Sequence, residues 1–214
     1  TAVNIATEAI DRLHSTASSH KRVMVVEVMG HSAGWIALYA GMAGGADIIL
    51  IPELGFDIRK VNEKILHRLH LGKPYSIIVT AEGLKTDCLS PADYISHAVG
   101  EATGIEVRQT VLGYIQRGGN PSPFDRNLAT LLGGHATELV AQKQFGRMVC
   151  FKDGKIGSVP LAEIAYHPIM SLLNKGSVWG FRSGYNKRYF LIAFNCLMIL
   201  VVVYSSDGDG FRKD

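Results

Sequence analysis

Two arginines, nine positions apart, stand on either side of an apolar run in Glu106-Val-Arg-Gln-Thr-Val-Leu-Gly-Tyr-Ile-Gln-Arg-Gly-Gly-Asn-Pro-Ser-Pro-Phe-Asp-Arg126. The guanidinium group is planar, always charged, and donates paired hydrogen bonds, which suits it to a phosphate dianion. Arg108 and Arg117 bracket Val111, Leu112 and Ile115, residues able to anchor a strand in a core. Gly118-Gly119 lets the backbone come close to whatever the arginines hold. Ser122, Pro123 and Asp125 then read as a helix start: N-cap, first-turn proline and a carboxylate at the third position. The plainer reading of the same stretch is a surface hairpin with scattered cations. Strand alternation over 106–115 would put Arg108 and Tyr114 on one face.

The elements that must position these groups alternate along the chain. An apolar stripe of Ala2, Ile5, Ala6, Ala9, Ile10 and Leu13 predicts a helix over 2–14. Arg22–Val28 carries a near-continuous apolar run, the pattern of a strand buried on both faces. A small-residue helix follows over Ser32–Gly44, then a strand at Ile48–Ile51. Asp57 can cap a helix bearing Ile58, Val61, Ile65 and Leu69, which ends near Gly72-Lys73-Pro74. Ser76–Ala81 reads as a strand and Pro91–Ala102 as a helix stopped at Gly104. The helix at about 123–142 and a β segment at Arg147–Phe151, turning at Asp153-Gly154, complete the series. Strand–helix alternation predicts an α/β fold, in layers around a mainly parallel sheet. Ligands of such sheets sit beyond the carboxyl ends of the strands. That rule gathers Met29-Gly30-His31, Glu53, Glu82-Gly83 and Tyr114–Gly119 as site loops.

Composition narrows the function. The 214 residues suffice for a sizeable core. A 47% hydrophobic and 19% charged composition is that of a soluble globular protein, and a net charge of +3 without a Lys/Arg run argues against nucleic acid. Cys88, Cys150 and Cys196 lie far apart without metal-ligand spacing, which fits a reducing compartment. His67 and His70 share a helix face, but no acidic or Cys partner accompanies them. Ser177, Ser183 and His167 form no nucleophile triad spacing. The opening Thr1, in helix-like sequence, suggests that the chain begins inside something larger. From about Tyr166 the character changes, and an apolar run fills 189–204. That run is short for a membrane span and is interrupted by Asn195, so a buried element, or sequence foreign to the fold, is the preferred reading over an anchor.

Several motifs in the right order now resemble one family. Val26-Glu-Val-Met-Gly-His-Ser-Ala-Gly-Trp35, Ala43-Gly-Gly-Ala-Asp47, Ile51-Pro-Glu53 and Leu112-Gly-Tyr-Ile-Gln-Arg-Gly-Gly-Asn-Pro-Ser-Pro-Phe-Asp-Arg126 are similar to the C-terminal half of the 6-phosphofructokinases, bacterial in flavour. The resemblance covers residues 1–165, and it implies a sugar-phosphate-binding part of an α/β fold, incomplete relative to the family's two domains. Residues 166–214 do not resemble the family, as an out-of-frame or fused end would explain.

The resemblance implies that Arg117 and Tyr114 contact the 6-phosphate of fructose 6-phosphate, Tyr114 standing where the family commonly has His. It implies that Arg22 and Arg108 reach that phosphate across a subunit interface, hence a homo-oligomer. Glu82 matches the carboxylate that orients sugar hydroxyls, and Met29 and Gly30 the turn lying along the sugar. His31 replaces an arginine near the transferred phosphoryl group. Gly45 and Asp47 match a nucleotide effector site, although His14 stands where an effector-binding arginine is usual.

The family's donor is ATP with Mg²⁺, or pyrophosphate, and its place is cytoplasmic glycolysis. Its nucleotide loop and catalytic aspartate pair lie in the other half. No Gly-x-x-x-x-Gly-Lys-Ser/Thr loop or equivalent occurs here, and Asp11 is misplaced for catalysis. Three readings follow: part of a kinase that is inactive alone, a non-catalytic sugar-phosphate-binding module associating with a full-length subunit, or a membrane-associated protein anchored by 189–204.

Overall fold

Four parallel strands in the order β2-β3-β1-β4 form the sheet of the computed structural model, which describes residues 1–86, 90–152 and 154–164. The predicted tail at 166–214, its apolar run at 189–204, Cys88, Asp153 and Cys196 lie outside the described residues. The chain divides into two units, Thr1–Asn120 and Pro121–Asp214.

In the first unit the order is α1 (Ala2–His20), β1 (Val23–Val28), α2 (Trp35–Ala43), β2 (Ile48–Leu50), α3 (Ile58–His70), β3 (Ser76–Ala81), α4 (Pro91–Thr103) and β4 (Val107–Val111). A 3-10 turn, Gly113–Arg117, follows β4. The apolar runs of β1 and β3 are buried along their whole length, as central parallel strands require. Side chains of β1 alternate between faces. Val23 and Val25 therefore pack with Val61 and Ile65 of α3 and Ile95 and Val99 of α4.

Glu27 points the same way and is buried among them. Its Oε2 accepts hydrogen bonds from Ser90 Oγ at 2.8 Å and from the Ala92 amide at 2.9 Å. A strand carboxylate thus caps the start of α4, where the helix dipole favours negative charge. Ser90 itself occupies the N-cap, with Pro91 in the first turn, and Gly104 in the left-handed region ends the helix. Asp57 caps α3 as predicted, accepting the Arg59 amide at 3.0 Å. The Arg59 side chain, then its amide, holds the Asp57 carboxyl below its ordinary pKa, and Asp57 in turn raises Arg59.

The structure moves three boundaries. Helix α1 runs on past the predicted 2–14 to His20, because Ala17 continues the buried stripe and Ser15 and Ser19 bond back to carbonyls of their own helix. Helix α2 starts at Trp35 and not Ser32, since residues 29–34 are a tight loop held by carboxylates from elsewhere. Strand β4 stops at Val111 and does not reach 115. Leu112 turns to helical angles, and Gly113 adopts a φ of 51°, which ends extended backbone. The expected shared strand face of Arg108 and Tyr114 is therefore wrong: Arg108 is on β4, and Tyr114 is on the 3-10 turn.

The second unit holds α5 (Pro123–Ala141), the antiparallel pair β5 (Arg147–Lys152) and β6 (Lys155–Pro160), and α6 (Leu161–Ile164). Sequence reading gave β5 but not β6, whose Lys-Ile-Gly-Ser-Val-Pro has no clean alternation. The pairing is reinforced by Arg147, which donates to Ser158 Oγ at 2.8 Å and to the Ser158 carbonyl at 3.1 Å. Ala136, Leu139 and Val149 form the core of this unit.

The predicted start of α5 is present in full: Ser122 Oγ accepts the Asp125 amide at 3.2 Å and donates to the Asp125 carboxylate at 3.0 Å. Replacing Ser122 with Ala is expected to cost about 1 kcal/mol of stability, the usual worth of an N-cap. Urea unfolding checks this, and an unmoved midpoint would show the cap to be idle.

Candidate functional site

Three chain segments meet at the carboxyl end of the parallel sheet: the loop after β1, the turn after β3 and the 3-10 turn after β4. They are tied by side chain-to-backbone bonds. The Glu82 amide bonds to the Val28 carbonyl at 2.9 Å, which places its side chain beside the β1 exit. Glu82 Oε1 then accepts the amides of Gly30 at 3.1 Å and His31 at 2.6 Å. Two successive amides aimed at one oxygen make an anion-binding concavity, here filled by the protein's own carboxylate. His31 reaches that geometry with a φ of 53°, an unusual conformation for a non-glycine residue.

Two glycines make room for this turn. A Cβ on Gly83 would lie 2.1 Å from the His31 carbonyl oxygen, and one on Gly30 would lie 2.3 Å from that of Ala33. Behind the loop, Glu53 Oε1 accepts the Gly34 amide at 2.8 Å, at the start of α2. Of the loop positions gathered by the sheet-end rule, Glu53 thus shapes the α2 end of the β1 loop.

On the other side of the loop stands Gln116. It is fully buried, its Oε1 accepts the Met29 amide at 3.1 Å, and its Nε2 lies 3.5 Å from the Met29 carbonyl. The residues around it on the turn face outward: Tyr114 is 81% exposed, and Arg117 is exposed with its guanidinium 5.4 Å from the Tyr114 ring centre. A guanidinium over a phenol face is a favourable cation–π pair. Met29, Gly30, His31, Glu82, Tyr114 and Arg117 are thus gathered at one end of the sheet.

Arg22 and Arg108 are not among them. Arg22 precedes β1 and Arg108 is paired in register with Met24, so both lie toward the amino end of the strands. There they share one carboxylate: Glu106 meets Arg22 at 3.1 Å and Arg108 at 2.8 Å.

The predicted effector positions form a third group. Gly45 has a φ of 67° beside His14, whose Nε2 is 2.7 Å from the Gly44 carbonyl oxygen and whose ring meets Tyr75 edge-on at 6.1 Å. The Asp47 carboxylate accepts the Ile77 amide at 3.0 Å and pairs with Arg68 at 2.7 Å, and Arg68 also donates to Ser76 Oγ at 3.0 Å. Asp47 is thereby built into the junction of α3, β2 and β3. Among the described residues, no group of three or more His, Cys, Asp or Glu side chains is arranged to hold a metal ion.

Sequence reasoning missed Gln116 as a residue that shapes the site and Glu27 as the carboxylate at the start of α4. Both sit inside motifs noticed for other reasons. A polar side chain within an apolar segment was the one available signal.

The chain matches the phosphofructokinase family over residues 1–140. It is 65% identical over 165 residues to ATP-dependent 6-phosphofructokinase 3 of Bacteroides thetaiotaomicron, covering 77% of this chain and 49% of that protein. It is 48% identical over 181 residues to a pyrophosphate–fructose 6-phosphate 1-phosphotransferase of Streptomyces coelicolor, covering 76% of this chain and 53% of that protein. The chain spans about half the length of these curated relatives. Among solved structures, phosphofructokinase from Saccharomyces cerevisiae superposes with a TM-score of 0.69 at 36% identity, covering 76% of this chain and 23% of that one.

Proposed function

This chain belongs to the phosphofructokinase family, and from that premise we propose that residues 1–165 form the sugar-phosphate side of a 6-phosphofructokinase site acting in cytoplasmic glycolysis. The observation that carries this reading is the meeting of Met29-Gly30, Glu82 and the Tyr114–Arg117 turn at the carboxyl end of the sheet. Arg117 supplies a permanent cation for the 6-phosphate, and the Tyr114 hydroxyl a donor beside it. Glu82 offers its carboxylate to sugar hydroxyls, and the Met29-Gly30 backbone lies along the sugar.

In the reaction proposed for the complete site, O1 of fructose 6-phosphate forms a bond to the transferred phosphorus. The bond from that phosphorus to the departing ADP or phosphate oxygen breaks, and the O1 proton passes to a base. The base and the nucleotide loop are assigned to no residue of this chain. Relatives bearing ATP-dependent and pyrophosphate-dependent names support either donor. Among the described residues no cluster of His, Cys, Asp or Glu side chains is arranged to hold Mg²⁺. The position of Arg22 and Arg108 at the opposite end of the strands from Arg117 supports a role toward a second subunit's phosphate, and hence a homo-oligomer.

Pure chain incubated with fructose 6-phosphate, Mg²⁺ and either ATP or pyrophosphate is expected to form no fructose 1,6-bisphosphate. Product formation would show that the donor side is complete in these residues and would overturn this division of the site.

A further inference from the structure

We propose that Gln116 is a positioning residue that fixes the distance between the phosphate-facing turn and the sugar-facing turn; the inference rests on the sugar-phosphate reading above. Gln116 is 0% exposed, whereas its neighbours Tyr114 and Ile115 on the same turn are 81% and 75% exposed. A buried primary amide needs partners for both ends. Both ends of the Gln116 amide meet the main chain of Met29, 87 positions earlier: the 3.1 Å bond from the Met29 amide and the longer 3.5 Å contact to its carbonyl.

The replacements closest in shape cannot do both at neutral pH. Glutamate has only acceptors when ionised, and methionine lacks a strong donor or acceptor. The amide therefore acts as a rung between the loops that leave the paired strands β1 and β4, beyond the bond from the Leu112 amide to the Glu27 carbonyl at 3.0 Å. Arg117 follows Gln116 immediately, so the root of its guanidinium is one residue from the rung. From the other side Glu82 grips Gly30 and His31, leaving the Met29–His31 backbone held by β3 and β4 exits at once.

Such a rung matters only to a ligand that touches both turns. Preorganisation lowers the cost of binding when two subsites must be engaged together, and it does little for a ligand that occupies one. This separates positioning from simple core filling.

The test compares fructose 6-phosphate, which spans both turns, with inorganic phosphate, which needs the Arg117 turn alone, on the full chain. Gln116→Met keeps the volume and loses both contacts. Gln116→Glu keeps an acceptor for the Met29 amide and loses the donor, and it carries the test if Gln116→Met fails to fold. Fructose 6-phosphate should bind either variant about tenfold or more weakly, while inorganic phosphate changes by less than about twofold. Parallel weakening of both ligands, or no weakening of either, would overturn the proposal and reduce Gln116 to core packing. A wild-type chain that binds no fructose 6-phosphate would overturn the sugar-phosphate reading itself. That result is seen without any variant, so the two failures are distinct.

Discussion

Arg117→Ala is expected to weaken fructose 6-phosphate binding by about 1.5–3 kcal/mol, the scale of a lost charge-assisted hydrogen bond. That corresponds to roughly a 10- to 150-fold rise in Kd. The Arg117 side chain is exposed and rests on an exposed Tyr114 ring, so its removal opens no cavity and should leave the unfolding midpoint in place. His67→Ala, on the exposed face of α3, serves as the comparison and should change neither quantity. Calorimetry of both variants decides the matter. Equal behaviour of the two would remove Arg117 from the site.

The largest stability effect is expected at Glu27. Replacing it with Leu keeps the bulk in a packed position but withdraws the acceptor from Ser90 Oγ and from the buried Ala92 amide. Leaving the buried Ala92 amide unpaired costs about 1–3 kcal/mol, while Ser90 keeps its own N-cap bond from the Asp93 amide, so about 1–3 kcal/mol is expected in all. Glu27→Gln retains an acceptor oxygen and should lose less. Urea unfolding measures the total, and hydrogen exchange at the first turn of α4 locates it. A Glu27→Leu midpoint equal to wild type would show that the carboxylate's burial costs as much as its bonds return.

The two substitutions separate what the chain's residue types announce from what only the fold reveals. Arg117, the Gly-rich turn and the Ser122 start of α5 are legible because each carries its chemistry locally: a fixed charge, a missing Cβ, a hydroxyl three residues from its partner amide. The parallel sheet is equally legible, since strands buried on both faces must be apolar along their length, as β1 and β3 are. Glu27 is the exception within that pattern. Its function depends on Ser90 and Ala92, 63 and 65 residues away.

Gln116 is illegible for the same reason, its partner being Met29. Tyr114 shows a different limit. Period-two alternation held as far as Val111, and Gly113 then ended the strand, so a rule applied three residues too far assigned the wrong face. Arg22 and Arg108 were grouped through the family resemblance alone; their shared Glu106 and their place at the amino end of the strands needed the register between β1 and β4. Asp47 was read from a motif alone. Its partner Arg68 comes from α3, which no local pattern could name.

The central claim is that this chain presents a sugar-phosphate pocket at the carboxyl end of its sheet. Equilibrium titration of the pure chain with fructose 6-phosphate, in the absence of ATP, pyrophosphate and Mg²⁺, tests it most directly. The account predicts saturable binding to a single class of site, displaced by inorganic phosphate and weakened by Arg117→Ala. A folded chain that shows no saturable binding of fructose 6-phosphate would contradict it.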